Sequence, residues 1–337
     1  MARATIDALA ARGLVGTPLE PVSLQRELVE RLFMADGSLA FCLQQHQLPL
    51  RRLRGATATA EAPAADTLRQ RWLAPVASGQ ALAAVAFAHL RRPGPPNPSA
   101  TRIPDGWRLD GHLDWITSWD IADLVLLCAR CVDDSGDWVV GLLLGAGASG
   151  EPPPAGLRLG DPLRLLAMGG THTRPAELSG VEIPESQVLF VEAFSRWSQA
   201  DAVQVCRVSP MVFGCIRGAI ADLADVGRRQ GNGDALTLAE TLATRCRQLR
   251  RNAYQCIDDP AFNAPEAQGR HRLLRAQALE LAMRSAQAAV VAQAGAAMRR
   301  GSGAERRLRE AGFLLVQAQT AASRQESLRL LNGILET

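Results

Sequence analysis

Lysine is absent: all 37 basic residues of this 337-residue sequence are arginines, set against 34 carboxylates for a net charge of +3. Aromatic residues are scarce as well, 4% of the chain with a single tyrosine, and no arginine cluster is interleaved with them. A single-stranded nucleic-acid surface needs that interleaving, because bases stack on rings while cations track the backbone, so nucleic acid is set aside as a partner. No stretch approaches the roughly 20 uninterrupted apolar residues of a spanning helix, so no membrane partner is expected. The N-terminus carries no basic region leading into an apolar run, and the seven cysteines are an odd, scattered set, which together point to a reducing cytoplasm. Cys128 and Cys131 are three apart, but on a strand that spacing sends the side chains to opposite faces. With no second pair, no metal site is expected.

What is present is ordinary globular composition, 47% hydrophobic and 21% charged, too apolar for a disordered chain. The chain is long enough for two or three packed units. From Ser23 to Leu53 apolar residues recur at helical spacing, with Asp36 and Gly37 marking a break between two helices, and a short helix follows from Thr67 to Leu73. Between Gly79 and Phe194 short apolar runs alternate with turn residues, the pattern of strands. The proline-rich RRPGPPNPSA and GASGEPPPAG are loops inside that region. From Ala200 onward the patterned segments 201–229, 234–257, 266–299 and 304–332 read as four helices broken at GNGD, DDPAFNAP and RRGSG. The predicted organisation is α+β: an N-terminal helical region at 1–78, a β domain at 79–195 and a helical bundle at 196–337. No repeat at a solenoid period is present, and a lone GxG at Gly301 and Gly303 without a βαβ context does not make a Rossmann domain.

The stretch GWRLDGHLDWITSWDIADLVLLCAR, residues 106–130, resembles the acyl-CoA dehydrogenase segment in which a Gly-aromatic-x-Leu-x-Gly hairpin leads to Trp-Ile-Thr and then to Ala-Asp before an apolar strand. LSGVEIPESQVL at 178–189, ADGSLAFCLQQH at 35–46 and RRGSGAERRLREAGFLL at 299–315 are similar to further segments of that superfamily. The resemblance covers almost the whole chain apart from the family's first helix or two. It implies N-terminal helices, a β-barrel-like middle domain and a C-terminal four-helix bundle. It also implies FAD as cofactor, an acyl thioester carried on CoA or a carrier as substrate, and a homodimer or homotetramer.

By that resemblance Trp115 packs on the flavin ring, Thr117 and the adjoining Ser118 lie at its edge, Arg228 reaches the pyrophosphate of a neighbouring subunit's flavin, and Gly301 and Gly303 form the turn at a partner's adenine. A flat aromatic suits a flavin, and a nearby hydroxyl tunes its electronics. Four departures accompany the likeness. Ala88 and His89 stand where Thr-Glu is usual; RRQGNGD at 228–234 lacks the aromatic of Arg-x-x-Phe-Gly; Ala318 stands at the position of the usual Glu base; and the N-terminal wall is shortened. Asp222, Asp225 and Glu240 read as solvated helix charges. His46 resembles a helix histidine near the ring in the related dibenzothiophene-type monooxygenases and is the candidate catalytic residue, against a plain packing role. His89 adjoins the altered first motif, His172 sits in a loop, and His112 and His271 read as exposed. Three functions stand open: an FAD-dependent acyl thioester oxidoreductase, a flavin-dependent monooxygenase, or a non-catalytic subunit paired with a Glu-bearing paralogue. A module that only binds thioesters is a fourth.

Overall fold

The computed structural model describes residues 2–16, 19–262, 264 and 267–335. They form two compact units. The first comprises residues 1–20, 41–165 and 169–199; the second comprises 21–40, 166–168 and 200–337.

In the first unit, helices α1 (Ala2–Ala10), most of α3 (Gly37–Gly55) and α4 (Ala65–Ser78) accompany eight strands. These are β1 (Ala83–Ala86), β2 (Ser99–Ile103), β3 (Gly106–Ile116), β4 (Leu124–Asp133), β5 (Gly136–Gly145), β6 (Leu157–Leu159), β7 (Arg174–Pro184) and β8 (Val188–Ala193). They make one sheet in the order β6-β7-β3-β2-β4-β5-β8, with β1 pairing β4 in parallel alongside. β4 begins with six consecutive buried residues, Leu124 to Ala129, as a strand covered on both faces should. β3 mixes buried Trp107, Leu109 and Leu113 with exposed Arg108, the signature of a half-covered strand. Gly141 of β5 lets the Phe190 ring lie across it: a Cβ there would come within 2.1 Å of Phe190. Arg52 covers the other side of that ring at 4.2 Å and pairs with Glu192 at 2.5 Å.

The second unit contains α2 (Val22–Ala35), the second half of α5 (Phe194–Val205), α6 (Pro210–Gln230), α7 (Gly233–Asp258), α8 (Gln268–Gln293), α9 (Gly303–Val316) and α10 (Ala321–Leu335). Side-chain caps start α6, α7 and α9. Ser209 accepts from the Met211 amide with Pro210 in the first turn, Asn232 accepts from Ala235, and Ser302 accepts from Glu305. The expected break at DDPAFNAP includes Asn263 and Pro265, which lie outside the described residues. The segment read as one helix over 304–332 is two. Ala318 adopts φ 50°, and the Thr320 hydroxyl accepts from the Ser323 amide 3.2 Å away, opening α10 with its own cap. Likewise 206–209 separates α5 from α6. The 194–230 segment passes as long and apolar enough to cross a membrane by length and composition alone, although charged residues interrupt it. Its apolar window is 61% buried within the protein, as a core helix would be.

The α+β class predicted from the sequence is therefore present, with the helices of the C-terminal region more finely divided than the hydrophobic pattern indicates.

Candidate functional site

Strand β3 ends in the segment that carries the predicted cofactor contacts. Trp115 is 46% exposed, whereas Trp107, Trp119 and Trp197 are buried. An indole left open on a strand offers a flat apolar surface, and a large exposed aromatic is more informative than an exposed aliphatic. Thr117 is buried and bridges Val85 in antiparallel fashion, which ties the end of β3 to β1.

Ser118 then turns the chain. It sits at φ 70°, in the left-handed region that favours glycine, and is 1% exposed. Its amide donates to Thr171 O at 2.9 Å, while its carbonyl accepts from Ile121 at 3.1 Å and Ala122 at 2.9 Å. The backbone is thus held from both sides, yet the Oγ is buried with no hydrogen-bond partner. Strain of about 1–3 kcal/mol at a non-glycine φ and an unmet hydroxyl costing about 1–3 kcal/mol coincide on one residue. Thr171 and Thr173 join hydroxyls at 2.8 Å beside it. Below this turn, Arg174 grips Asp120 at 2.6 Å and Gly160 O at 3.0 Å, fixing the start of β7 against the loop after Ser118. Trp115, Thr117 and Ser118 therefore form one rigid patch with a flat apolar face and an orphan hydroxyl. These features fit a flavin ring.

The other predicted contacts belong to the second unit. Arg228, its side chain 65% exposed, stands in the last turn of α6, 3.8 Å from Asp225. Gly301 takes φ 85°, and Gly303 opens α9, where a Cβ would approach Asp222 Oδ2 to 3.0 Å. The turn 301–303 is thereby packed against α6.

His46 is fully buried, and both of its ring nitrogens are engaged. The Ala83 amide donates to Nδ1 at 3.0 Å, so Nε2 carries the proton and donates to Val76 O at 3.1 Å. Burial pushes its pKa down to about 4. It binds α3 to the end of α4 and the start of β1, a packing role with no nitrogen left for chemistry. His271 is buried, not exposed, because the loop after α7 closes over it: its Nε2 lies 3.0 Å from Phe262 O and its Nδ1 3.6 Å from Cys256 Sγ. Burial lowers the imidazole and raises the thiol, so both are held neutral and the pair is no activated nucleophile. His112 lies between Asp114 at 2.9 Å and Glu177 at 2.7 Å. His172 stands in a loop at φ 50°.

At the position of the usual base, Ala318 occupies the turn between α9 and α10, and Arg275 fixes that turn by donating to Gln317 O at 2.7 Å. Asp222 pairs with buried Arg307 at 3.2 Å and Asp225 with Arg229 at 2.8 Å. Two buried carboxylates escaped the sequence reading. Glu30 is 0% exposed and accepts from Arg217 at 2.6 Å, Arg250 at 2.7 Å and the Tyr254 hydroxyl at 2.6 Å. Glu310 accepts from Arg307 at 3.0 Å and the Gly37 amide at 3.3 Å, with burial pushing its pKa up. Each is pinned by donors in a structural network. Only their helical spacing was visible in the sequence, and that does not separate a buried acid from an exposed one. Among the described residues no group of three or more potential metal-ligating side chains converges.

No family model and no curated protein matches this sequence. Solved structures do. Butyryl-CoA dehydrogenase from Megasphaera elsdenii is similar with a TM-score of 0.75 and 17% identity over 97% of this chain and 89% of that one. A nitroalkane oxidase active-site mutant crystallised with 1-nitrooctane gives 0.75 and 16% over 98% and 86%. The FAD complex of PigA gives 0.73 and 18% over 98% and 89%. Likeness at this identity, spanning nearly the full length of both chains, establishes architecture: the protein has the acyl-CoA dehydrogenase fold.

Proposed function

We propose that the protein binds FAD on the Trp115–Ser118 patch and acts as a flavin-dependent oxidoreductase on an acyl thioester. The observation that carries this reading is the coincidence at one place of an open indole and a strained serine whose buried hydroxyl lacks a partner. Trp115 would pack on the ring and the Thr117 and Ser118 hydroxyls would meet its polar edge. Arg228 and the Gly301–Gly303 turn would serve the phosphate and adenine of a partner copy's cofactor in a homodimer or homotetramer. When bound, FAD supplies a two-electron acceptor. The chain's own residues orient the ring and shield it from water. The fold likeness to an FAD complex and to a butyryl-CoA dehydrogenase supports the cofactor and the substrate class. The seven cysteines, all free, suit a reducing cytoplasm.

A second reading is favoured by the turn at Ala318. Alanine at φ 50° takes no proton, and Asp222 and Asp225 are committed to arginines. A subunit that retains the fold and pairs with a Glu-bearing paralogue has this composition, whereas His46, the histidine put forward for a flavin monooxygenase, has both ring nitrogens engaged. The test is to load the protein with FAD and titrate it anaerobically with butyryl-CoA and octanoyl-CoA. Loss of flavin absorbance supports the oxidoreductase; an unbleached flavin that turns over only after a paralogue is added supports the subunit reading. Trp115→Ala is expected to weaken FAD binding at least tenfold at unchanged thermal midpoint, and unaltered affinity in that variant would remove the patch from the account.

A further inference from the structure

The loop between the short turn at 88–91 and β2 encloses a pocket of about 240 Å³ that the function above does not use. It lies wholly within the first unit and is walled by four prolines, with His89, Arg92, Asn97 and Arg130 supplying its polar groups. That volume is room for an acid of a few carbons.

His89 is 8% exposed and donates from Nε2 to Cys128 O at 2.6 Å. Its Nδ1 is therefore an unprotonated acceptor, and it takes no hydrogen bond among the described residues. The prolines cannot supply one, since they have no N–H. Nδ1 is not sealed among the buried, partnerless polar atoms, so it opens to the pocket, where a ligand hydroxyl can donate to it. Burial also holds the His89 pKa down at about 4, so the ring stays an acceptor at neutral pH.

Two cations stand at the same pocket. Arg130 is fixed by Asp137 through Nε at 2.7 Å and Nη2 at 2.5 Å and by the Phe194 ring at 4.0 Å, which leaves its Nη1 edge with no hydrogen bond among the described residues. Arg92 is held by Asp114 through Nη2 alone. Asn97 is anchored by the His112 amide, which donates to its Oδ1 at 2.9 Å, and Gly111 makes room for it, because a Cβ there would come within 2.4 Å of that oxygen. Arg130 is pre-oriented by Asp137 and Phe194, so less of its side-chain ordering remains to oppose binding.

We propose that this pocket binds a small hydroxy-carboxylate, its carboxylate on the free edges of Arg92 and Arg130 and its hydroxyl donating to His89 Nδ1. The site shares no residue with the Trp115–Ser118 patch, so it stands or falls independently of flavin binding.

The experiment is calorimetric titration of the full-length protein at neutral pH, with and without added FAD. The probes are L-malate against succinate and L-lactate against propionate, each pair differing by the hydroxyl. At least one hydroxy-acid is expected to bind at a single site at least tenfold more tightly than its partner, equally with or without FAD. Arg92→Gln should weaken the acid at least fivefold, His89→Leu should abolish the hydroxyl preference, and His89→Gln should restore it, since an amide both donates to Cys128 O and offers an acceptor. Absence of saturable binding by either hydroxy-acid, equal affinity within both pairs, or a preference unchanged in folded His89→Leu would overturn the proposal. Should His89→Leu not fold, the paired titrations of the wild-type protein and Arg92→Gln, a half-exposed side chain, still decide.

Discussion

At the residue scale the site rests on Ser118, where stability and binding should oppose one another. Ser118→Gly relieves the φ of 70° and deletes the orphan hydroxyl. Glycine's extra freedom in the unfolded chain offsets part of that gain, about 0.5–1 kcal/mol. The flavin-free variant is expected to unfold about 1 kcal/mol higher by urea titration while holding FAD about tenfold less tightly. A variant that is less stable and binds FAD as before would show that Ser118 serves the fold alone. The indole and the two hydroxyls were legible as a motif, but the features that make them a site, an open Trp115 and an unmet Ser118 Oγ, are three-dimensional. His46 shows the converse. Its place in a motif suggested chemistry, and only the bonds to Ala83 and Val76, 37 and 30 residues away, reveal a packing histidine.

At the scale of elements, α2 is fastened to α6 and α7 by charge. Glu27 and Glu30 on α2 meet Arg217 on α6 and Arg250 on α7, and Arg26 lies over the Tyr254 ring at 4.4 Å. Arg217 is held more firmly protonated by these hydrogen bonds, and burial beside Glu30 raises the Tyr254 phenol. Glu30→Gln leaves two arginines facing a neutral amide in a buried place and should cost about 3–5 kcal/mol. Glu27→Gln, about a third exposed, should cost no more than about 1 kcal/mol. Equal small losses in the two variants would show the network to be dispensable. Helices and strands were readable because their patterns are local: buried residues along β4, turn residues GNGD before α7. The break between α9 and α10 was not, because VQAQTAAS carries neither glycine nor proline and its apolar spacing runs on unbroken. The Thr320 cap and the left-handed Ala318 end α9 without that punctuation.

At the scale of the whole molecule, the buried neutral histidines His46, His89 and His271 make stability depend on acid. His46 and His89 both have pKa values near 4 when folded against about 6.5 unfolded, so between those values the unfolded chain binds more protons and is favoured. Their contribution is complete above pH 6.5, is lost as pH falls through that window, and amounts to about 3 kcal/mol for each. Urea midpoints should fall between pH 6.5 and 4, and His46→Gln should flatten the slope by up to about half; an identical slope in the variant would contradict the burial of a neutral ring. The architecture itself was recognisable from four motifs spread along the chain, and the full-length likeness to butyryl-CoA dehydrogenase agrees with it. A fold does not carry its cofactor with it, however, and Ala88, His89 and Ala318 depart from the pattern at sensitive points. The central claim is therefore tested most directly by the visible absorption spectrum of the purified protein after incubation with excess FAD and passage through a desalting column. Retained flavin bands, lost in Trp115→Ala, are the result expected; a protein that emerges colourless would contradict a flavin site at Trp115–Ser118.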